Sequence, residues 1–288
     1  YYGKLMLFGE YSVITGSPAL LIPFRRYAGK WMRDASPNNP SKAALQEYTN
    51  HLLTQQHAFN WLDIPSLHAS VKDGWYFSST IPQGYGAGSS GALVAAIYES
   101  FAFKIERDLS RLQQQLAAME SYFHGSSSGL DPLACFTPKP LLVQADKSIQ
   151  FPNVSEQSLV KNILLIDSKQ TATTGPLVSF FRKQLMEYPF YKKLSRILIP
   201  SVNDAIQAQI SGNETDFLHA LKHISTFQFE NLQPMIPETL RPFWQTGLDT
   251  NQYYVKLCGS GGGGYFLLYT NNKDLLPDLP KEMELVQL

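Results

Sequence analysis

The sequence carries no net charge, since 24 Lys and Arg stand against 24 Asp and Glu. Charged residues of both signs make up only 17% of the chain. Without a broad uncompensated basic face, tight holding of nucleic acid is excluded as the main activity. Cysteine is scarce as well. Cys135 and Cys258 cannot staple 288 residues, so two buried thiols in a reducing compartment are expected rather than a disulfide. Long apolar runs are missing too: the best, Ala92 to Ala96, is far below the ~20 residues that span a bilayer. The first residues show no basic stretch followed by an apolar one. The expectation is therefore a cytoplasmic protein with neither a membrane nor a nucleic-acid partner.

What is present is material for a core. Hydrophobic residues reach 44% and aromatics 12%, enough for one large domain or two of ordinary size. Lys4 to Phe8 and Ala19 to Pro23 read as strands on either side of the turn residues Thr15 to Pro18. Residues 25–45 mix basic, aromatic, Pro and Asn residues without a period and read as a loop or an irregular hairpin. Gln46 to Gln56 is helical. Leu67 to Val71 and Trp75 to Ser79, around Lys72-Asp73-Gly74, predict a hairpin. An apolar helix follows the Gly/Ser-rich turn at residues 84–91, and Leu109, Leu112, Leu116 and Met119 make one stripe of a helix from Asp108 to Phe123. Strands are expected at Leu141 to Val143, Asn162 to Ile166, Tyr253 to Leu257 and Tyr265 to Tyr269. Helices are expected at Leu194 to Ile210 and Phe217 to Phe227. Strands and helices interleave, so the class is α+β. The polar stretch Pro152 to Ser158 precedes a new strand and suggests domains of 1–158 and 159–288.

Three stretches carry chemistry. In the first, Gly84, Gly86, Ala87 and Gly88 lead through Ser89 and Ser90 into a helix. Glycines let a backbone fold closely round an anion, and the amides of a helix start point at it. It is not a Walker loop, because no Gly-Lys-Ser/Thr follows. In the second, Glu120 and His124 share a helix face four residues apart, and a Ser/Gly turn then presents Asp131. His124 reads best as a structural hydrogen bond. In the third, four consecutive glycines, Gly261 to Gly264, follow Gly259 and Ser260 between two strands. So many glycines imply a close backbone approach that one bulge or turn does not require. His219 and His223 lack the Glu of a zinc-protease motif and read as a solvated helix face. Trp31 among Arg25, Arg26, Lys30 and Arg33 is one short basic cluster on a neutral chain.

Together, "GKLMLFGEYSVITGSPAL" (3–20), "IPQGYGAGSSGAL" (81–93), "HGSSSGLDP" (124–132) and "KLCGSGGGGYF" (256–266) resemble the motifs of the GHMP small-molecule kinases in order and spacing. The mevalonate kinase branch is the most similar. The resemblance implies an N-terminal domain like the second domain of ribosomal protein S5 and a ferredoxin-like C-terminal domain. It also implies ATP and Mg²⁺ as cofactors and a small-molecule alcohol as phosphoryl acceptor, and it leaves a homodimer open. Carried over by position, Gly84, Gly86, Ala87, Gly88, Ser89 and Ser90 match the phosphate loop, and Ser90 with Glu120 matches the Mg²⁺ pair. Asp131 matches the catalytic aspartate and Lys4 the lysine beside it. Glu10 and the run Gly259, Ser260, Gly261 match substrate-site segments. Tyr11 stands where mevalonate kinases commonly carry His, Ser126-Ser127 where they carry Asn-Pro, and Pro132 in place of Asn. Tyr85 and Ala87 alter the phosphate loop. These departures bear on the acceptor, for which mevalonate or a related anionic alcohol comes first. Lys169, Arg182 and Arg196 are available as its cation. A decarboxylase on the same scaffold and a catalytically silent binding protein are the alternative classes.

Overall fold

The computed structural model describes residues 1–34 and 40–288. In chain order its main elements are β1 (Tyr2–Phe8), β2 (Ala19–Arg33), α1 (Pro40–Thr54), α2 (Ile64–Lys72), β3 (Trp75–Ser79), α3 (Ser89–Phe101), α4 (Leu109–His124) and α5 (Leu130–Phe136). There follow β4 (Leu141–Val143), β5 (Ile149–Gln150), α6 (Glu156–Leu159), β6 (Ile163–Asp167), α7 (Thr174–Leu185), α8 (Tyr188–Lys193), α9 (Ile199–Ser211), α10 (Glu214–Asn231), α11 (Arg241–Thr250), β7 (Tyr253–Leu257), β8 (Tyr265–Thr270) and β9 (Glu284–Gln287). Helices and antiparallel sheets mix, as the α+β reading expects.

Two compact units share the chain. The first takes residues 1–4, 23–82 and 88–138; the second takes 5–22, 83–87 and 139–288. Within the first, the last residues of β2 pair antiparallel with β3, from Gly29 opposite Ser79 to Arg33 opposite Trp75. Its helices pack through Leu112, Leu116 and Met119 of α4, Ala92 and Val94 to Tyr98 of α3 and Leu45, Tyr48 and Leu52 of α1, all buried. Asp108 starts α4 by accepting the Arg111 amide at 2.8 Å. In the second unit, Ala19 to Leu21 pair with β4. A four-stranded antiparallel sheet of order β7-β8-β6-β9 is buried along β6, β7 and β8. Trp244 of α11, whose ring lies 6.4 Å from that of Phe266 in β8, and Leu221 and Ile224 of α10 are buried in the same unit.

Several expectations of local structure are corrected. Leu67 to Val71 is not a strand. It belongs to α2, where the Asp63 carboxylate caps the Ser66 amide at 3.0 Å and Pro65 sits in the first turn. Its buried residues Ile64, Leu67 and Val71 recur at helical spacing. The strand partner of β3 is instead β2, which runs on through Arg33 rather than ending at Pro23. Residues 25–33 of the expected irregular stretch are thus strand, residues 40–45 open α1, and its 35–39 portion lies outside the described residues. Gly29 permits the pairing, since a Cβ there would fall on the Phe77 ring. The helical stretch from Leu194 also differs: Leu194–Leu198 is a π-turn leading into α9, whose first turn holds Pro200.

Candidate active site

In the first unit, β1 supplies Lys4 and the first turn of α5 supplies Asp131. Lys4 Nζ lies 2.8 Å from Asp131 Oδ1; the lysine is 3% exposed and the aspartate 36%. The ammonium is held inside while the carboxylate still reaches solvent. Gly129, the residue before α5, takes φ 72 and passes so close to α4 that a Cβ would sit 2.9 Å from the Ala117 methyl. That turn delivers Asp131 to the second position of α5, where a helix N-terminus favours a carboxylate.

Ser90 occupies the corresponding place in α3. Gly88 before the helix takes φ 83, and a Cβ on it would come within 2.9 Å of Cys135 Sγ and Lys4 Cγ. The Cys135 thiol donates to the Gly88 carbonyl at 3.5 Å. Burial pushes that thiol above its ordinary range, so it stays protonated. Both cysteines are free and buried, as expected. Gly91, one residue on, lies against α5: a Cβ there would be 2.9 Å from the Asp131 carbonyl carbon and from Pro132 N.

From α4, Glu120 and His124 both reach Ser90. The Ser90 hydroxyl donates to Glu120 Oε1 at 3.1 Å and lies 3.1 Å from His124 Nε2. On the other side, Ser127 Oγ donates to Glu120 Oε2 at 2.5 Å and accepts the Gly129 amide at 2.9 Å. Ser127 thereby links Glu120 to the start of α5. Desolvation raises the Glu120 carboxyl to about 7, with the Asp131 charge adding to it and the two serines and Lys4 opposing. A buried carboxylate so short of positive charge suits a cation. The donors, one carboxylate and serine hydroxyls, are the hard oxygens that Mg²⁺ takes when phosphates and water complete its shell. Among the described residues no cluster of three or more His, Cys, Asp or Glu could hold a metal by itself.

The first unit thus brings together Lys4, Asp131, Ser90 and Glu120. Ser89 opens α3 beside them, and no described residue accepts a hydrogen bond from the amides of Gly86 to Ser90. Gly84, Gly86 and Gly88 all hold positive φ, as a loop of inward-turned amides requires.

The second unit holds the remaining predicted residues. Lys256 Nζ lies 2.5 Å from Glu10 Oε1, with both side chains almost fully buried. It also donates to the Leu257 carbonyl at 2.6 Å and sits 5.3 Å above the Phe8 ring. Tyr11 donates its hydroxyl to the Ser260 carbonyl at 2.7 Å. The glycine run is explained by protein on every side. A Cβ on Gly261 would meet the Met235 carbonyl at 2.6 Å, on Gly262 Leu177 at 2.8 Å, on Gly263 the Gln170 carbonyl at 2.7 Å, and on Gly264 the Tyr85 backbone at 2.7 Å. Gly264 accepts from the Ser168 amide at 3.0 Å and donates to Gln170 at 2.7 Å. Lys169 is paired with Asp167 at 2.9 Å and Glu284 at 2.7 Å, and these bonds push its pKa up. Sequence reasoning missed Lys256 because it read as the end of a strand, and an internal charge in an apolar strand was the available signal. His219 and His223 stack edge-on at 4.4 Å on α10.

Residues 48–138 match the family model described as GHMP kinases N terminal domain. Over nearly its whole length the chain also overlays solved structures of such enzymes. The chain has the GHMP kinase fold. L. major mevalonate kinase in complex with R-mevalonate superposes with a TM-score of 0.66 at 18% identity, over 99% of this chain and 94% of that one. Streptococcus pneumoniae phosphomevalonate kinase with phosphomevalonate and AMPPNP gives 0.64 at 16%, over 99% and 98%. Lactococcus lactis galactokinase with galactose gives 0.68 at 11%, over 100% and 92%. No curated protein sequence matches the chain. The GHMP kinase likeness at these identities is one of fold, shared by kinases whose acceptors differ.

Proposed function

We propose that the protein is an ATP-dependent kinase that transfers the γ-phosphoryl group to the hydroxyl of a small molecule, with mevalonate or a related anionic alcohol first. The single observation that carries the reading is the Lys4–Asp131 pair beside Ser90 and Glu120 in the first unit. Phosphoryl transfer asks a protein mainly for positioning and charge offset. Asp131, the exposed member of the pair, accepts or orients the acceptor's hydroxyl proton as the hydroxyl oxygen bonds to the γ-phosphorus. The bond from that phosphorus to the bridging oxygen breaks, and ADP leaves with the electron pair. Lys4 and the Gly86 to Ser90 amides offset the phosphate charge. Ser90 and Glu120 would hold Mg²⁺, which when bound neutralises phosphate charge.

The fold neighbours favour this reading, because they were solved in complex with mevalonate, with phosphomevalonate and AMPPNP, and with galactose. The carboxylate, lysine, serine and glutamate occur together, which speaks against a silent binding protein. An assay of ADP and CO₂ release with ATP and a panel of mevalonate, phosphomevalonate, homoserine and galactose tests it. ADP release that depends on an alcohol supports the kinase; CO₂ release with it would move the chain to the decarboxylases.

A further inference from the structure

Glu10 was expected at the acceptor, yet its carboxylate meets a fully buried ammonium. Lys256 is 0% exposed and Glu10 1%, at 2.5 Å. The next residue, Tyr11, bonds the Ser260 carbonyl at 2.7 Å, stacks on Phe181 at 4.8 Å and holds φ 62. A non-glycine residue keeps such a backbone only where its surroundings fix it. The Cys258 thiol adds a contact to the Met6 carbonyl at 3.7 Å. Two consecutive residues just past β1, Glu10 and Tyr11, therefore grip both ends of the turn Lys256 to Ser260, across 246 and 249 positions of chain.

That turn supports a second loop of the same unit. A Cβ on Gly86 would lie 3.4 Å from the Cys258 carbonyl and 3.7 Å from Gly259 Cα, both in the turn itself; just beyond it, a Cβ on Gly264 would strike the Tyr85 backbone at 2.7 Å. The Tyr85 and Tyr265 rings meet at 5.2 Å, and the Ala172 amide donates to the Gly84 carbonyl at 3.2 Å. Backbone packs on backbone, so displacing the turn displaces Gly84 to Ala87.

We infer that Glu10 is a positioning residue that acts through Lys256: the pair, with Tyr11, braces the glycine turn that supports Gly84 to Ala87 and so sets nucleotide affinity rather than acceptor affinity. The inference rests on the kinase reading above. Removing one member of a buried pair strands the other's charge, whereas removing both does not. Titration calorimetry of the full chain with AMPPNP and Mg²⁺ reads the effect. Glu10→Gln should raise the AMPPNP Kd at least about fivefold, while KM for the fastest alcohol of the panel moves less than about twofold. The double variant Glu10→Gln with Lys256→Met should return Kd to within about twofold of wild type, a rescue that a lost acceptor contact would not show. Tyr11→Phe, which strands no charge, is the gentler variant should Glu10→Gln fail to fold; it should weaken AMPPNP about twofold or more at unchanged acceptor KM. An AMPPNP Kd unchanged in both single variants, or an acceptor KM that rises alone, overturns the inference and leaves the kinase standing. A wild-type chain that binds no AMPPNP overturns both.

Discussion

Lys4 and Asp131 divide their labour through burial. The lysine is nearly inaccessible at 3% while the aspartate is 36% exposed, so substrate would meet the carboxylate. Asp131→Asn is expected to lower kcat by roughly 10²–10⁴-fold, the usual worth of a positioned general base, with AMPPNP Kd nearly unchanged. A variant keeping more than half of wild-type kcat would remove Asp131 from the chemistry. Glu120 gives a second test through its raised pKa. The native chain keeps its carboxyl protonated up to about pH 7, whereas the unfolded chain releases that proton near the ordinary 4.5. Between those values the native state holds the extra proton. The stability it contributes is full below about pH 4.5 and lost as pH rises through 7, on the order of 3 kcal/mol in all. Urea unfolding without metal should show wild type losing more stability than Glu120→Gln between pH 5 and 8. Parallel losses would mean that Glu120 ionises like an exposed carboxylate.

At the scale of elements, α3 and α5 meet at Gly91. A Cβ there is 2.9 Å from the backbone of Asp131 and Pro132, which has no flexible end to swing aside. Gly91→Ala should separate the helices, costing about 1–3 kcal/mol in denaturant unfolding and lowering kcat by displacing Asp131. Wild-type stability together with wild-type kcat would contradict that packing. Much at this scale was legible. The α4 stripe follows its helical period because one face of that helix packs on the core, while β1, β4, β6, β7 and β8 follow their apolar runs because nearly every residue in them is buried. What was not legible follows from the same physics. Ile64, Leu67 and Val71 look like part of an apolar run until the Asp63 cap and Pro65 are weighed as a helix start. The end of β2 carries mostly exposed and half-buried side chains, Arg and Lys among them, without a strict alternation. It is recognisable as strand only once β3 lies beside it.

Across the whole molecule, both compact units are assembled from interleaved segments, so residues far apart in sequence share a unit. The glycine and Ser/Gly turns could be found by composition alone, and so could the helix spacing of Glu120 and His124. Partners at long separation could not: Lys256 with Glu10 and Tyr11 with Ser260 arise from topology, and no local pattern encodes them. The glycine run signalled a close approach correctly, and the structure identifies what approaches as protein, backbone at Gly261, Gly263 and Gly264 and the Leu177 side chain at Gly262. The central claim, ATP-dependent phosphorylation of a small alcohol, is tested most directly by one assay. ADP formation and the phosphorylated product are measured together over the alcohol panel, for the wild-type chain and folded Asp131→Asn. The account predicts ADP and phosphorylated alcohol in equal amounts from the wild type with at least one alcohol, falling by roughly 10²-fold or more in the variant. No alcohol-dependent ADP from the wild type, or equal rates from both proteins, would contradict it.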